Sequence, residues 1–244
     1  MENSIKNHFM VFGCFIGLSI LQYYTLGYII SLVKQQSTGA YLIALFIMIL
    51  FTASVFLLYF KIVDRETFRL NGIRWKTGLH ILLLCISHFL FVSVISGYPT
   101  WVGKSSIPNG YIIRSFYEIF CYSVIAEILF RGLLQKQLSK ILNPWLAIFI
   151  VVIVSSIVGF LYTQHLYQSF LAGIFIGIIY HKTDKLILCI LYHSFYKLMC
   201  YLFHFSFEYG TSFQTAFVFI ATGLAVYSIR KLVKNNYKNN ELYA

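Results

Sequence analysis

Charged side chains are scarce in this sequence. Only 11% of its 244 residues are charged and 59% are apolar, whereas about 25% of the residues of a soluble domain are charged. Most of the surface is therefore expected to face lipid. The longest polar stretches, residues 61–76 and 98–114, are too short to enclose a core of their own. We predict one integral membrane domain over residues 1–244.

Closely spaced pairs of cysteines are also absent from the sequence. The five cysteines are scattered through apolar runs without a CxxC pair, which argues against a disulfide framework or a structural metal knot. No A-x-A cleavage site follows the first apolar run, which is therefore interpreted as a retained span. The net charge of +11 does not indicate a nucleic-acid partner, because Lys and Arg lie at the ends of apolar runs.

Long apolar runs are what the sequence has in abundance, and a membrane-spanning helix needs about 20 such residues. They predict an all-α polytopic bundle of about eight transmembrane helices embedded in a lipid bilayer. The sixth run contains Gly173 and Gly177, a small-xxx-small pair that favours close packing inside the bundle, and its boundary with the fifth is left open. The runs lie at 9–33, 41–61, 79–98, 112–131, 145–165, 166–181, 185–204 and 212–230.

The distribution of Lys and Arg predicts the orientation. With a cytoplasmic N-terminus, fifteen of the 19 basic residues fall on the cytoplasmic side and three on the outer side, while Lys197 lies within a span. This excess follows the positive-inside rule. An even number of spans places both termini in the cytoplasm.

Acidic residues number only eight, and two of them, Glu118 and Glu127, fall inside the fourth predicted span. An ionisable side chain at membrane depth is costly unless it faces a cavity or a partner, so it marks a candidate functional site. Arg131 follows Glu127 at i+4, on the same helical face. The pair is either part of a reaction site or a structural ion pair.

Histidines supply the other candidate groups. His165 closes the fifth predicted span, whereas His193 lies within the seventh and is followed at i+4 by Lys197. Glu127, His165 and His193 from three helices could bind a catalytic metal such as Zn²⁺ with an open coordination position. They could equally hold a water between a base and an imidazole. The residues alone leave both alternatives open.

Three local sequences resemble the motifs of the CPBP family, also called the Abi or CAAX-protease family. SVIAEILFRGLL (123–134) is similar to the first motif, Glu-Glu-x-x-x-Arg with Phe-Arg-Gly. SSIVGFLYTQHLYQSFLAG (155–173) is similar to the second, Phe-x-x-x-His, and GIIYHKTDKLILCILYHSFYK (177–197) to the third, His-x-x-x-Asn. The predicted family-like core is 115–204.

The resemblance implies intramembrane proteolysis, by a metallo- or glutamate-type endopeptidase, of a peptide or membrane-anchored substrate such as a prenylated CAAX protein. Glu127 matches the second Glu of the first motif and Arg131 its Arg, while His165 and His193 match the motif histidines. Because many bacterial members accompany bacteriocin systems, the resemblance also implies a location in the bacterial cell membrane.

Two positions depart from the family pattern. Ala126 replaces the first Glu, the usual base, and Lys197 replaces the Asn. Glu127 could take over as base, but it points ~100° away from Ala126, so the helix would have to rotate or the cavity shift. Alternatively, the site has decayed and the chain is a non-catalytic partner, such as a bacteriocin immunity factor or a regulator of a sensor kinase or peptide exporter. Lys197 is either an oxyanion donor or a counter-ion of Glu127.

Overall fold

A computed structural model describes residues 46–47, 49–57, 59, 75–96, 116–163, 166–202 and 211–240, together with Gly13 and Gly17. These residues are helical apart from two short turns, and no strand occurs among them. The predicted all-α class is confirmed. The first predicted span lies outside the described residues apart from Gly13 and Gly17, whereas 12 of the 21 residues of the second span are described and helical.

From residue 75 onward, six helices follow one another along the described part of the chain. Helix α2 is continuous from 117 to 141 but changes its winding three times: Tyr117–Tyr122 and Ile128–Gln135 are π-helical, whereas Ser123–Glu127 and Lys136–Ile141 are α-helical. The others are α1 (Trp75–Ser96), α3 (Pro144–Thr163), α4 (Leu166–Thr183), α5 (Leu186–Leu202) and α6 (Thr211–Asn240).

Two of the helices contain segments long and apolar enough to cross a bilayer, Trp75–Val94 and Thr215–Lys234, and the apolar segments Pro144–Phe160 and Leu186–Cys200 are shorter. A total of about eight spans stays a prediction. Large apolar side chains are nevertheless exposed on the outside of the described helices, as expected of a lipid-facing surface. Examples are Phe149, Ile157, Leu191, Phe219 and Ile220.

The ends of α2 and α3 differ from the predicted spans. Helix α2 extends to Ile141, ten residues beyond the predicted end of the fourth span. The next helix then begins with a cap: the Asn143 side-chain oxygen accepts a hydrogen bond from the Trp145 backbone N–H at 2.9 Å, and Pro144 occupies the first helical position, where its missing N–H costs nothing. Helix α3 ends at Thr163 and α4 begins at Leu166, which places the boundary that the sequence left open.

Helix packing places α5 at the centre of the described bundle. Helix α1 packs along α6 and α3 along α4, while α5 contacts α1, α2 and α4. The Ser87 hydroxyl on α1 donates a hydrogen bond to the backbone carbonyl of Ala221 on α6 at 2.7 Å. The shared core contains Leu84, Ile128, Leu133, Ile176, Ile179, Leu186 and Tyr192.

The α3–α4 contact depends on glycine. A Cβ atom on Gly177 would lie 2.8 Å from Cγ2 of Ile148, and one on Gly173 would lie 3.3 Å from Oγ of Ser155. The backbone of α4 therefore approaches its neighbours more closely than a larger residue would allow, and the predicted packing of the glycine pair inside the bundle is confirmed.

Candidate active site

Glu127 is the last residue of the α-helical turn in the middle of α2, and its side chain is only 3% exposed. Its Oε1 lies 2.7 Å from Nδ1 of His193 on α5. A carboxylate oxygen can only accept a hydrogen bond, so the proton between the two residues is carried by Nδ1 when Glu127 is ionised. In a neutral imidazole this leaves the lone pair of His193 Nε2 available.

The second carboxylate oxygen of Glu127 faces Arg131. Its Oε2 lies 3.4 Å from Arg131 Nε, and both side chains are almost fully buried. Neither atom makes a well-formed hydrogen bond with any described residue. The two charges therefore compensate each other, while Oε2 retains capacity to accept a hydrogen bond.

Arg131 also connects α2 to α4. Its Nη1 donates to Oε1 of Gln135 at 3.1 Å, and its Nη2 donates to the backbone carbonyl of Gly173 at 3.0 Å. Gln135 Nε2 in turn donates to the backbone carbonyl of Gly177 at 3.0 Å. Two side chains one turn apart thus bind two glycine carbonyls one turn apart, which fixes the helix that carries Glu127.

A cavity of about 50 Å³ opens beside Glu127. A water molecule needs roughly 10–15 Å³ of such space, so the cavity has room for water next to the carboxylate. Residues of α2, α3, α4 and α5 form its wall: Tyr122, Ala126, Glu127, Phe130, Arg131, Ser155, Gly159, Gln168, Ser169, Ala172, Gly173, Ile176, His193, Tyr196 and Lys197.

Ala126 and Glu127 both line this cavity. The sequence suggested that α2 would have to rotate before Glu127 could act where Ala126 stands. Both residues nevertheless contribute to the cavity wall, and the rotation of α2 stays a prediction. Ala126 contributes only a methyl group, which packs with Phe130 and Val151.

Lys197 lies on the same wall, one turn of α5 beyond His193. Its Nζ is 6.0 Å from the centre of the Tyr122 ring, and the same ring meets His193 edge to face, with centroids 6.0 Å apart. Within the described part of the chain, the ion pairs of Glu127 are with Arg131 and His193 and none involves Lys197.

His165 lies outside the described residues, as does the side chain of Glu118. Gly159 and Gln168, which flank His165 in sequence, line the cavity. Among the described residues, no three His, Cys, Asp or Glu side chains are grouped as metal ligands. The Oε1 and Nδ1 atoms of Glu127 and His193 bind each other, so only one atom of each could serve a metal. The zinc site stays a prediction.

Comparison with known proteins concerns this same part of the chain. Residues 108–199 match the family described as Rce1-like, type II CAAX prenyl endopeptidase. Over this segment the chain is similar to the CPBP, or CAAX-protease, family. The matched segment comprises 92 of the 244 residues and includes every residue that lines the cavity. No curated protein and no solved structure matches the chain.

Three further residues of the matched segment, Gln135, Tyr122 and Tyr196, were not predicted as site residues from the sequence. Gln135 could have been found, since it follows Arg131 by the same four residues that separate Arg131 from Glu127. Tyr196 could not, because its role depends on packing: the ring of His88 on α1 stacks on it with centroids 3.9 Å apart. His88 is fully buried, and its Nδ1 lies 3.1 Å from the Tyr192 hydroxyl.

Proposed function

We propose that the chain is a CAAX-protease-like intramembrane peptidase in which Glu127 and His193 together activate a water molecule. The observation that carries the proposal is the 2.7 Å contact between Glu127 Oε1 and His193 Nδ1 at the wall of a water-sized cavity. Paired acid and imidazole groups of this kind are the usual means of general-base catalysis in proteins.

The chemistry follows from the hydrogen bond. Glu127 holds the proton on Nδ1, orients the ring of His193 and stabilises the imidazolium that forms when the ring gains a second proton. His193 Nε2 takes a proton from water as the water oxygen attacks the carbonyl carbon of the peptide. The C–N bond then breaks, and the proton passes from Nε2 to the leaving amine.

The position of the cavity restricts the substrate. The helices that enclose it carry apolar outer faces, so a peptide must reach the site within or at the surface of the bilayer. A membrane-anchored peptide, and a prenylated CAAX peptide in particular, is the class that fits both this location and the matched family.

Removal of either partner tests the proposal. For Glu127→Gln and His193→Ala we expect cleavage to fall by a factor of roughly 10² to 10⁴, the usual contribution of a general base. The measurement is release of a labelled fragment from a farnesylated peptide by the protein in nanodiscs. His181→Ala is the matched control, because His181 is likewise a partly buried histidine on a helix but packs on Trp145 and does not line the cavity. A Glu127→Gln protein that cleaves at the wild-type rate would contradict the proposal.

A second candidate is a decayed scaffold that acts as a membrane partner, such as an immunity factor. The methyl group of Ala126 on the cavity wall favours it, since the family position otherwise carries a carboxylate. Under this hypothesis the wild-type chain shows no cleavage, and the double change Ala126→Glu with Lys197→Asn creates it. Cleavage by the unmodified protein would exclude this candidate, whatever the double variant does.

A further inference from the structure

The cavity beside Glu127 contains more positive than negative charge. Arg131 and Lys197 are the cations on its wall, and Glu127 is the one carboxylate among the lining residues. Glu127 and Arg131 compensate each other at 3.4 Å. Among the described lining residues one positive charge is therefore left over, in surroundings where an uncompensated charge is costly.

The surplus charge belongs to Lys197. The guanidinium of Arg131 is already directed at Glu127, Gln135 and the carbonyl of Gly173. The ammonium group of Lys197, in contrast, has the Tyr122 ring 6.0 Å away as its neighbour, at the outer limit of ~6 Å for a cation–π contact.

No described carboxylate is available to Lys197. The two acidic side chains that the structure describes are Glu127, which pairs with Arg131 and His193, and Asp184, before the start of α5. Asp184 and Lys197 are thirteen positions apart, or ~20 Å along a helix at 1.5 Å per residue. The three donors of the ammonium group therefore face the cavity without an anion from the described chain.

We infer that Lys197 is a binding residue for a carboxylate of the peptide that enters the cavity, either its free C-terminus or an acidic side chain. His193 lies one helical turn, ~6 Å, from Lys197, and an extended residue spans ~3.5 Å. The carboxylate consequently lies within about three residues of the bond that faces His193. This inference rests on the proposed function in one respect only, namely that the ligand is a peptide substrate.

Binding rather than cleavage tests the inference. The probe is a short farnesylated, fluorescein-labelled peptide whose affinity for the protein in phosphatidylcholine nanodiscs is measured by fluorescence anisotropy. It is used with a free C-terminus, with an amidated C-terminus, and amidated with a Glu near the C-terminus. For the wild-type protein, amidation is expected to weaken binding at least ~10-fold, the effect of one charge-assisted hydrogen bond.

Variants of Lys197 complete the experiment. Lys197→Met is expected to bind the free and amidated peptides equally, and Lys197→Arg to keep the preference. Lys182→Met is the matched control, since Lys182 similarly lies 5.7 Å over an aromatic ring, Trp145, but does not line the cavity. It should behave as the wild type. Its normal binding would also show that loss of such a lysine does not unfold the chain.

Each outcome decides between alternatives. If the amidated peptide regains affinity when it carries Glu, Lys197 binds acidic side chains as well, and if not, it binds the C-terminus. Equal affinities of the wild-type protein for all three peptides would overturn the inference, and so would an undiminished preference in Lys197→Met. A protein that shows the preference without cleaving any peptide would instead refute the proposed function and leave the carboxylate site intact.

Discussion

The two sides of Glu127 differ in exposure and in what their other polar groups bind. Toward α4, Arg131 is 2% exposed and binds Gln135 and the carbonyl of Gly173. Toward α5, His193 is 12% exposed and lines the cavity together with Lys197. We infer that the two sides have different roles. The α4 side fixes the helix that carries Glu127, whereas the α5 side presents polar atoms that are available to a substrate.

Arg131→Met should have the largest effect on stability. The change leaves the carboxylate of Glu127 buried without its cationic partner, and breaking a buried ion pair in this way costs about 3–5 kcal/mol. His193→Ala should lower the free energy of unfolding less, by about 1–3 kcal/mol, because it leaves Oε1 of the buried Glu127 without a hydrogen-bond partner but keeps the countercharge of Arg131. The measurement is unfolding of each purified variant by SDS titration in mixed micelles.

The proposed difference between the α4 and α5 sides is wrong if Arg131→Met and His193→Ala lower the stability equally. It also fails if His193→Ala unfolds the protein while Arg131→Met leaves it stable, since the α5 side would then be the structural one. Glu127→Gln is a useful third variant, because a neutral amide next to Arg131 separates the loss of the negative charge from the loss of the side chain.

Part of this difference between the α4 and α5 sides could be predicted from the sequence, because it depends on the spacing of residues along one helix. Glu127 and Arg131 follow each other at i+4, so their contact needs only a helix. The glycine pair of α4 predicted close packing in the same way. The helical character of residues 144–163, 166–183 and 186–202 also followed from apolar runs alone.

Other features depend on the tertiary structure and left no local signal. The π-helical turns over Ile128–Gln135 add residues to each turn, so directions calculated with 3.6 residues per turn do not hold there. This limits any argument from sequence about which side chains of α2 face the cavity. The contact between Glu127 and His193 joins residues 66 positions apart, and only the packing of α2 on α5 determines it.

Gln135→Leu tests how far the α4 side acts as one unit. The substitution keeps the volume of the side chain but removes the acceptor for Arg131 Nη1 and the donor to the Gly177 carbonyl. A buried group left without its partner costs about 1–3 kcal/mol, so a loss of stability in that range is expected from the same SDS titration. Peptide affinity should change little, because Gln135 does not line the cavity.

A double-mutant cycle sharpens this prediction. If Arg131 and Gln135 form one network, their combined substitution should cost less than the sum of the single changes, with a coupling of roughly 0.5–3 kcal/mol. Strict additivity would mean that the two side chains bind α4 independently of each other.

The smallest expected changes in stability concern the glycines. Here the test is whether each substitution raises or lowers the free energy of unfolding. A Cβ atom on Gly177 would meet Ile148 at 2.8 Å, whereas nothing lies within 4 Å of one on Gly223 in α6. Overpacking costs about 1–3 kcal/mol, and replacement of a helical Gly by Ala returns about 0.4–1 kcal/mol where space allows. Gly177→Ala should therefore destabilise the protein slightly and Gly223→Ala stabilise it slightly. If both changes stabilised the protein, Ile148 would be free to move. The close approach of α3 and α4 would then not be what positions the Gly177 carbonyl, to which Gln135 donates.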